Sequence, residues 1–162
     1  MATEATERVV QQAEVFIAAP PERVYAVISD VTRTGEWSPE CRRCRWVGAL
    51  AEPAVGARFR GYNRHRWLRW SRLNEVVTAE PGTEFAFRVL PDRMNKDSSI
   101  WRYRLEAADG GTRLSESTEV LAWPGRLVRM LTFLARRDDD MTDNIRRSLE
   151  RVKAIVEAEG QG

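Results

Sequence analysis

From Arg42 to Leu121 apolar and polar residues alternate with a period of two, and after Pro124 the apolar residues recur every third or fourth position. A chain written this way has to lay a one-faced sheet against a one-striped helix, because each buries what the other leaves bare. The alternation is strict in "ARFRGYNRHR". Phe59, Gly61, Asn63 and His65 share one face there, and Arg58, Arg60, Tyr62, Arg64 and Arg66 share the other. "EFAFRVL" puts Phe85, Phe87 and Val89 together, and "SSIWRYRLEA" does the same for Trp101, Tyr103 and Leu105. "CRRCRWVG", "RWSRLNEVVTA" and "RLSESTEVL" continue the pattern, with the turn signals "EPAVG", "EPG" and "ADGGT" between segments. Together with an earlier strand in "VVQQAEVFIA", the run predicts about seven strands in an antiparallel sheet covered on one side only.

The helices announce themselves by a change of period. "AAPPERVYAVISDV" has proline where a first helical turn tolerates it, Glu22 at the positive end of the dipole, and a stripe of Val24, Val27, Ile28 and Val31. "TRTGEW" stops it, so two short helices are expected between the first two strands. After "DDD" the residues Met141, Ile145, Leu149, Val152 and Val156 form one apolar stripe. "PGRLVRMLTFLARR" sets Leu127, Val128, Met130, Leu131 and Leu134 against arginines, and reads as the leading part of the same long C-terminal helix. The expectation is one α+β domain over residues 8–158, with 1–7 and 159–162 as flexible ends.

Composition narrows the classes. Hydrophobic residues make up 43% of the 162, with six Trp, which excludes a disordered chain. No stretch approaches the roughly 20 apolar residues of a membrane span. "MATEATERVVQQAEV" lacks the apolar core of a secretory signal, so a cytoplasmic location is expected. Between Cys41 and Leu73 nine arginines face a single acid, Glu52, a local balance of 9 − 1 = +8. Such a patch suits an anionic polymer or the solvated outer face of a sheet. Tyr62 is the one aromatic interleaved with Arg58, Arg60, Arg64 and Arg66, which is poor provision for stacked bases, so no nucleic-acid partner is expected.

The segments "IAAPPERVYAVISDVTRTGEWSPE", "VGARFRGYNR", "EPGTEFAFRV", "WRYRLEAADGGTRLSES" and "DMTDNIRRSLERVKAIVEA", in this order and spacing, resemble the polyketide cyclase/dehydrase group. That group belongs to the START-like, Bet v 1-like (SRPBCC) superfamily, and the resemblance extends over residues 10–158. It implies the helix-grip fold, a sheet wrapped around a long C-terminal helix with a hydrophobic pocket between them. It implies no single reaction, because its members include lipid carriers, hormone and quinone binders and aromatase/cyclases. The expected ligand is a small hydrophobic or amphipathic molecule, lipid-like or polyketide-like, held by a carrier or cyclised by an enzyme.

Inward parity and the helix stripes nominate the lining. From the sheet side and its approaches come Trp37, Trp46, Phe59, Asn63, Trp70, Phe85, Phe87, Trp101, Tyr103 and Glu116; from the helical side come Met130, Leu131, Leu134 and Met141. Glu116 shares the parity of Leu114 and Val120, and a carboxyl in an apolar pocket has its pKa raised unless a cation pairs with it. Glu116 could therefore be a general acid or base, with Asn63 or His65 polarising a substrate carbonyl. Alternatively it pairs with an arginine such as Arg72 and orders the wall. His65, near its strand end, is expected at a solvated rim. Met130, Phe133 and Leu134 would gate the cavity, with Trp123-Pro124-Gly125 as a hinge, and segment 124–137 could also touch an anionic membrane transiently.

Cys41 and Cys44, the only cysteines, stand at C-x-x-C spacing on an expected strand, where i and i+3 point to opposite faces. With only His65 beside them the pair falls short of the four Cys or His ligands of a structural zinc site, and on a strand rather than at a helix start it does not read as a thioredoxin-like redox pair. Cys44 is read as a small buried side chain, and no metal or cofactor is expected. Monomer and homodimer both stay open.

Overall fold

The computed structural model describes residues 9–162, without the side chains of 9, 10 and 138–140. The expected flexible end at 1–7 lies outside the described residues. The elements run β1 (Val9–Ile17), α1 (Pro21–Ser29), a 3-10 turn (Val31–Glu36), β2 (Cys41–Val47), β3 (Arg58–His65), β4 (Leu68–Glu80), β5 (Glu84–Val89), β6 (Ser98–Ala108), β7 (Gly111–Ala122), α2 (Arg126–Leu134) and α3 (Arg137–Glu159). The strands form one antiparallel seven-stranded sheet in the order β1-β7-β6-β5-β4-β3-β2.

The two edges, β1 and β2, are consecutive in sequence, so the chain between them must cross the whole sheet. α1 and the 3-10 turn make that crossing. Pro21 stands at the start of α1, and Val24, Val27 and Ile28 are buried, as their helical spacing requires. The Asp30 carboxylate accepts from Thr32 N at 3.1 Å and so caps the turn that follows. Gly35 lets this turn lie on β2: a Cβ there would stand 2.5 Å from the Arg42 carbonyl oxygen. Bulges in the ladders at Val9/Gln11, Cys41/Arg43, Val76/Thr78 and Ser98/Ser99 add twist and help the sheet curl.

Ile145, Leu149, Val152 and Val156 of α3 are buried on the concave face. Among the strands, α3 comes closest to β1 and to β7 beside it. The grip helix therefore covers one end of the sheet and leaves the concave faces of β3, β4 and β5 at a distance. Among the described residues, no helix is long and apolar enough to cross a membrane.

The C-terminal helix differs from expectation in one respect. It is not continuous from Pro124, because α2 ends before Ala135 and α3 starts at Arg137. Arg136 between them is left-handed, with φ 53°. The Ala135 carbonyl, which a continuing helix would bond internally, instead accepts from His65 Nε2 at 3.2 Å. A long-range partner thus takes the hydrogen bond that would have carried the helix on.

Candidate functional site: a cavity between sheet and helix

The space left by α3 is a cavity of about 800 Å3. Inward-facing side chains of β3 to β7 wall one side, the segment 37–41 closes an end, and Met141, Asn144, Ile145 and Ser148 of α3 face them. Phe59, Phe85 and Phe87 form an aromatic wall, with ring centroids 5.1 Å apart for Phe59–Phe87 and 6.3 Å for Phe85–Phe87. Gly61, between Cys44 and Arg72 in the ladders, widens the space where a side chain would otherwise stand. Trp123, Met130 and Phe133 line the cavity and are also exposed to solvent, at 58%, 51% and 76%, so the mouth lies at α2 and the segment before it.

The interior end is polar. Glu116 is 3% exposed, and its Oε1 accepts from the Tyr103 hydroxyl at 3.0 Å. Glu116 Oε2, Thr118 Oγ1 and Trp37 Nε1 are buried without hydrogen-bond partners, and all three residues line the cavity. Loss of water pushes the Glu116 carboxyl up to about 8, although the Tyr103 hydrogen bond opposes the shift. The same burial, with Glu116 alongside, holds the Tyr103 phenol well above its usual value. At neutral pH Glu116 is therefore chiefly a neutral acid. It accepts from Tyr103 on one oxygen and offers a carboxyl proton to the cavity.

A buried cation is present, but it is spoken for elsewhere. Arg72 Nη1 donates to Asp97 Oδ1 and Oδ2 at 2.9 and 2.8 Å, and Nη2 donates to the carbonyls of Leu90 and Asp97 at 3.0 and 2.9 Å. This fork ties the loop before β6 to the sheet. Opposite it, Arg137 grips Glu40 through two bonds of 3.0 Å and lies 5.1 Å over the Trp70 ring, joining the start of α3 to the wall.

Residues 8–157 match the family described as polyketide cyclase/dehydrase and lipid transport. The chain belongs to the polyketide cyclase/dehydrase and lipid transport family. Among solved structures, it is similar to a polyketide cyclase-like protein of Corynebacterium glutamicum, at 33% identity and TM-score 0.59 over 93% of this chain and 92% of that one. Ara h 8, a Bet v 1-like protein, shares the fold at 14% identity and TM-score 0.58, over 91% and 96% of the two chains. The di-domain aromatase/cyclase of the steffimycin biosynthetic pathway aligns at 14% identity and TM-score 0.71, over 93% of this chain and 51% of that one. The chain thus spans about half the length of that last protein. No curated protein matches it in sequence. The sheet, the grip helix and the short helices between β1 and β2 are the family's helix-grip fold.

Within this family fold, most of the expected lining residues do line the cavity: Trp37, Phe59, Asn63, Trp70, Phe85, Phe87, Trp101, Tyr103, Glu116, Met130 and Met141. Trp46, Leu131 and Leu134 do not. The Trp46 ring packs edge-on against Phe59 at 5.8 Å, and Leu134 is turned out to solvent. Glu116 and Asn63 stand on β7 and β3, with β6, β5 and β4 between them. Tyr103 faces Glu116 across the β6–β7 ladder, and Thr118 follows it two residues on along β7. The inward parity of Glu116, Tyr103 and Thr118 was legible, but the Tyr103–Glu116 hydrogen bond was not. The pairing of Glu116 with Arg72 is replaced by Arg72–Asp97. His65 is not at a solvated rim: its side chain is 10% exposed, with Nδ1 3.6 Å from Glu40 and Nε2 on Ala135.

Cys44 is buried, as expected, but the two cysteines do not point to opposite faces. Both are buried, both line the cavity, and their Sγ atoms are 3.2 Å apart. The bulge between Cys41 and Arg43 adds a residue to β2, and that extra residue reverses the parity between Cys41 and Cys44.

Proposed function

We propose that the protein binds a small hydrophobic or amphipathic molecule, lipid-like or polyketide-like, as a carrier or sequestering protein. The observation that carries this is the cavity itself: about 800 Å3, aromatic along its walls, polar at its inner end and open to solvent beside α2. A space of that kind suits an apolar body bearing one hydrogen-bonding group. The unpartnered atoms of Glu116, Thr118 and Trp37 are the groups that would receive the polar end, and a bound ligand would remove the cost of leaving them bare.

One observation favours a second reading, an aromatase/cyclase-type enzyme. A carboxyl kept neutral in a dry site can donate to a substrate carbonyl and stabilise the charge that develops on its oxygen during enolisation or aldol closure. Glu116, oriented by Tyr103, is so placed.

Native mass spectrometry of the purified protein, followed by organic extraction, tests the first reading. The expected result is a bound species removed by the solvent. A chain that carries nothing, and then takes up neither a fatty acid nor anilinonaphthalene sulfonate, overturns it. Glu116→Gln separates the two readings. A carrier keeps its affinity for the extracted compound within severalfold, because the Gln amide still offers a donor where the neutral carboxyl did, whereas an acid–base enzyme loses turnover by about 100-fold or more.

A further inference from the structure

The backbones of Cys41 and Cys44 belong to the β2–β3 ladder, but their thiols take no part in it or in the Glu116–Tyr103 contact at the polar end of the cavity. Their sulfurs are 3.2 Å apart, closer than two unbonded sulfurs ordinarily rest, and closing to a disulfide needs only about 1 Å more. The residues are 7% and 6% exposed and both line the cavity, so the opening beside α2 is the route by which a small reagent reaches them. Opposite Cys44 stands Gly61, where a Cβ would come 3.4 Å from the sulfur, so nothing bulky on β3 fills the space beside that sulfur. The bulge that sets the sulfurs side by side sits at the start of β2, directly after the cavity-lining segment Trp37–Glu40.

We propose that Cys41 and Cys44 form an oxidisable dithiol, a modification site reached through the ligand cavity and closed to an intramolecular disulfide by hydroperoxides. The step balances with hydrogen peroxide as oxidant. A Cys41 thiolate attacks one peroxide oxygen, the O–O bond breaks, and water leaves with a proton taken up, giving a sulfenic acid. The Cys44 sulfur then displaces the sulfenic oxygen as a second water. Two thiols and one peroxide become one disulfide and two waters. Cys41 is the sulfur suited to attack, because the hydrogen bond from the Cys44 thiol lowers its pKa. The same contact, together with burial, raises the Cys44 thiol and makes it the resolving partner.

Access through the cavity rests on the cavity being open, as the proposed function requires; the dithiol chemistry does not. The full chain is treated with hydrogen peroxide, with and without saturating anilinonaphthalene sulfonate, and its thiols and tryptic peptides are followed by mass spectrometry. Arg42 and Arg43 lie between the cysteines, so trypsin parts them unless a disulfide joins the fragments. The expected product has lost two hydrogens, is reversed by a thiol reductant, and yields the joined fragments; the bound dye slows its formation severalfold. Two free thiols after treatment, or over-oxidation of one cysteine with the other left reduced, or crosslinking only between chains, overturns the dithiol. Dye that binds without slowing the reaction overturns access through the cavity. Disulfide formation in a chain that does not bind the dye upholds the dithiol and counts against the ligand-binding reading instead.

Discussion

At the residue scale, the chemistry turns on one carboxyl. Glu116 folds with its pKa raised from 4.5 to about 8, so the folded chain holds a proton there that the unfolded chain gives up at lower pH. Below about pH 4.5 both states are protonated and the group costs nothing. As pH rises from there to about 8 the unfolded state alone ionises, and stability falls by up to about 1.4 kcal/mol per pH unit. Above about 8 both are ionised and the loss is complete. Urea unfolding at about pH 5 and about pH 8 should show wild type losing a few kcal/mol relative to Glu116→Gln, which has no proton to release. Equal slopes for the two proteins would mean that Glu116 is hydrated or paired. The inward direction of Glu116 was legible because strand parity is rigid; its partner was not, because Tyr103 and Arg72 both offered inward donors. The cysteine pair shows the converse. Parity fails wherever a bulge inserts a residue, and nothing in "CRRCRW" marks the one between Cys41 and Arg43.

At the element scale, α2 is the unusual part. It buries none of its residues, and Leu127, Met130, Phe133 and Leu134 are all exposed, with Arg126 and Arg129 beside them. In a helix that edges a cavity mouth, this composition suits transient seating on an anionic bilayer, where apolar side chains insert and arginines meet headgroups. Co-sedimentation should show binding to vesicles containing phosphatidylserine and little to pure phosphatidylcholine, with Leu127→Glu/Phe133→Glu abolishing it. If the double variant sediments like wild type, α2 is not the contact. The existence and amphipathic pattern of this helix could be read from its spacing. Its separation from α3 could not, since the break depends on His65, some 70 positions earlier, capturing the Ala135 carbonyl.

At the scale of the whole molecule, the fold was legible and the cavity partly so. Seven strands follow from period-two patterning, and the concave faces of β3, β4, β5 and β6 carry the rings that patterning assigned to them. What the pattern does not reveal is where α3 sits. Its stripe fixes which face is buried, but only the assembled molecule shows it drawn toward β1, leaving Phe59, Phe87, Trp70 and Trp101 to line a space. The ion pairs Arg72–Asp97 and Arg137–Glu40 hold that space's walls, and each joins segments far apart in sequence. Partners at that range have no local signature.

An interior space that takes a ligand can be filled from Gly61, which lines it without a side chain. Anilinonaphthalene sulfonate titrated into wild type should bind saturably. Gly61→Phe, and Ser148→Phe from the facing helix, should each weaken that binding by about tenfold or more while circular dichroism stays unchanged. Folded variants that bind the dye as tightly as wild type would show that it sits elsewhere and that the space beneath α3 is not a binding site.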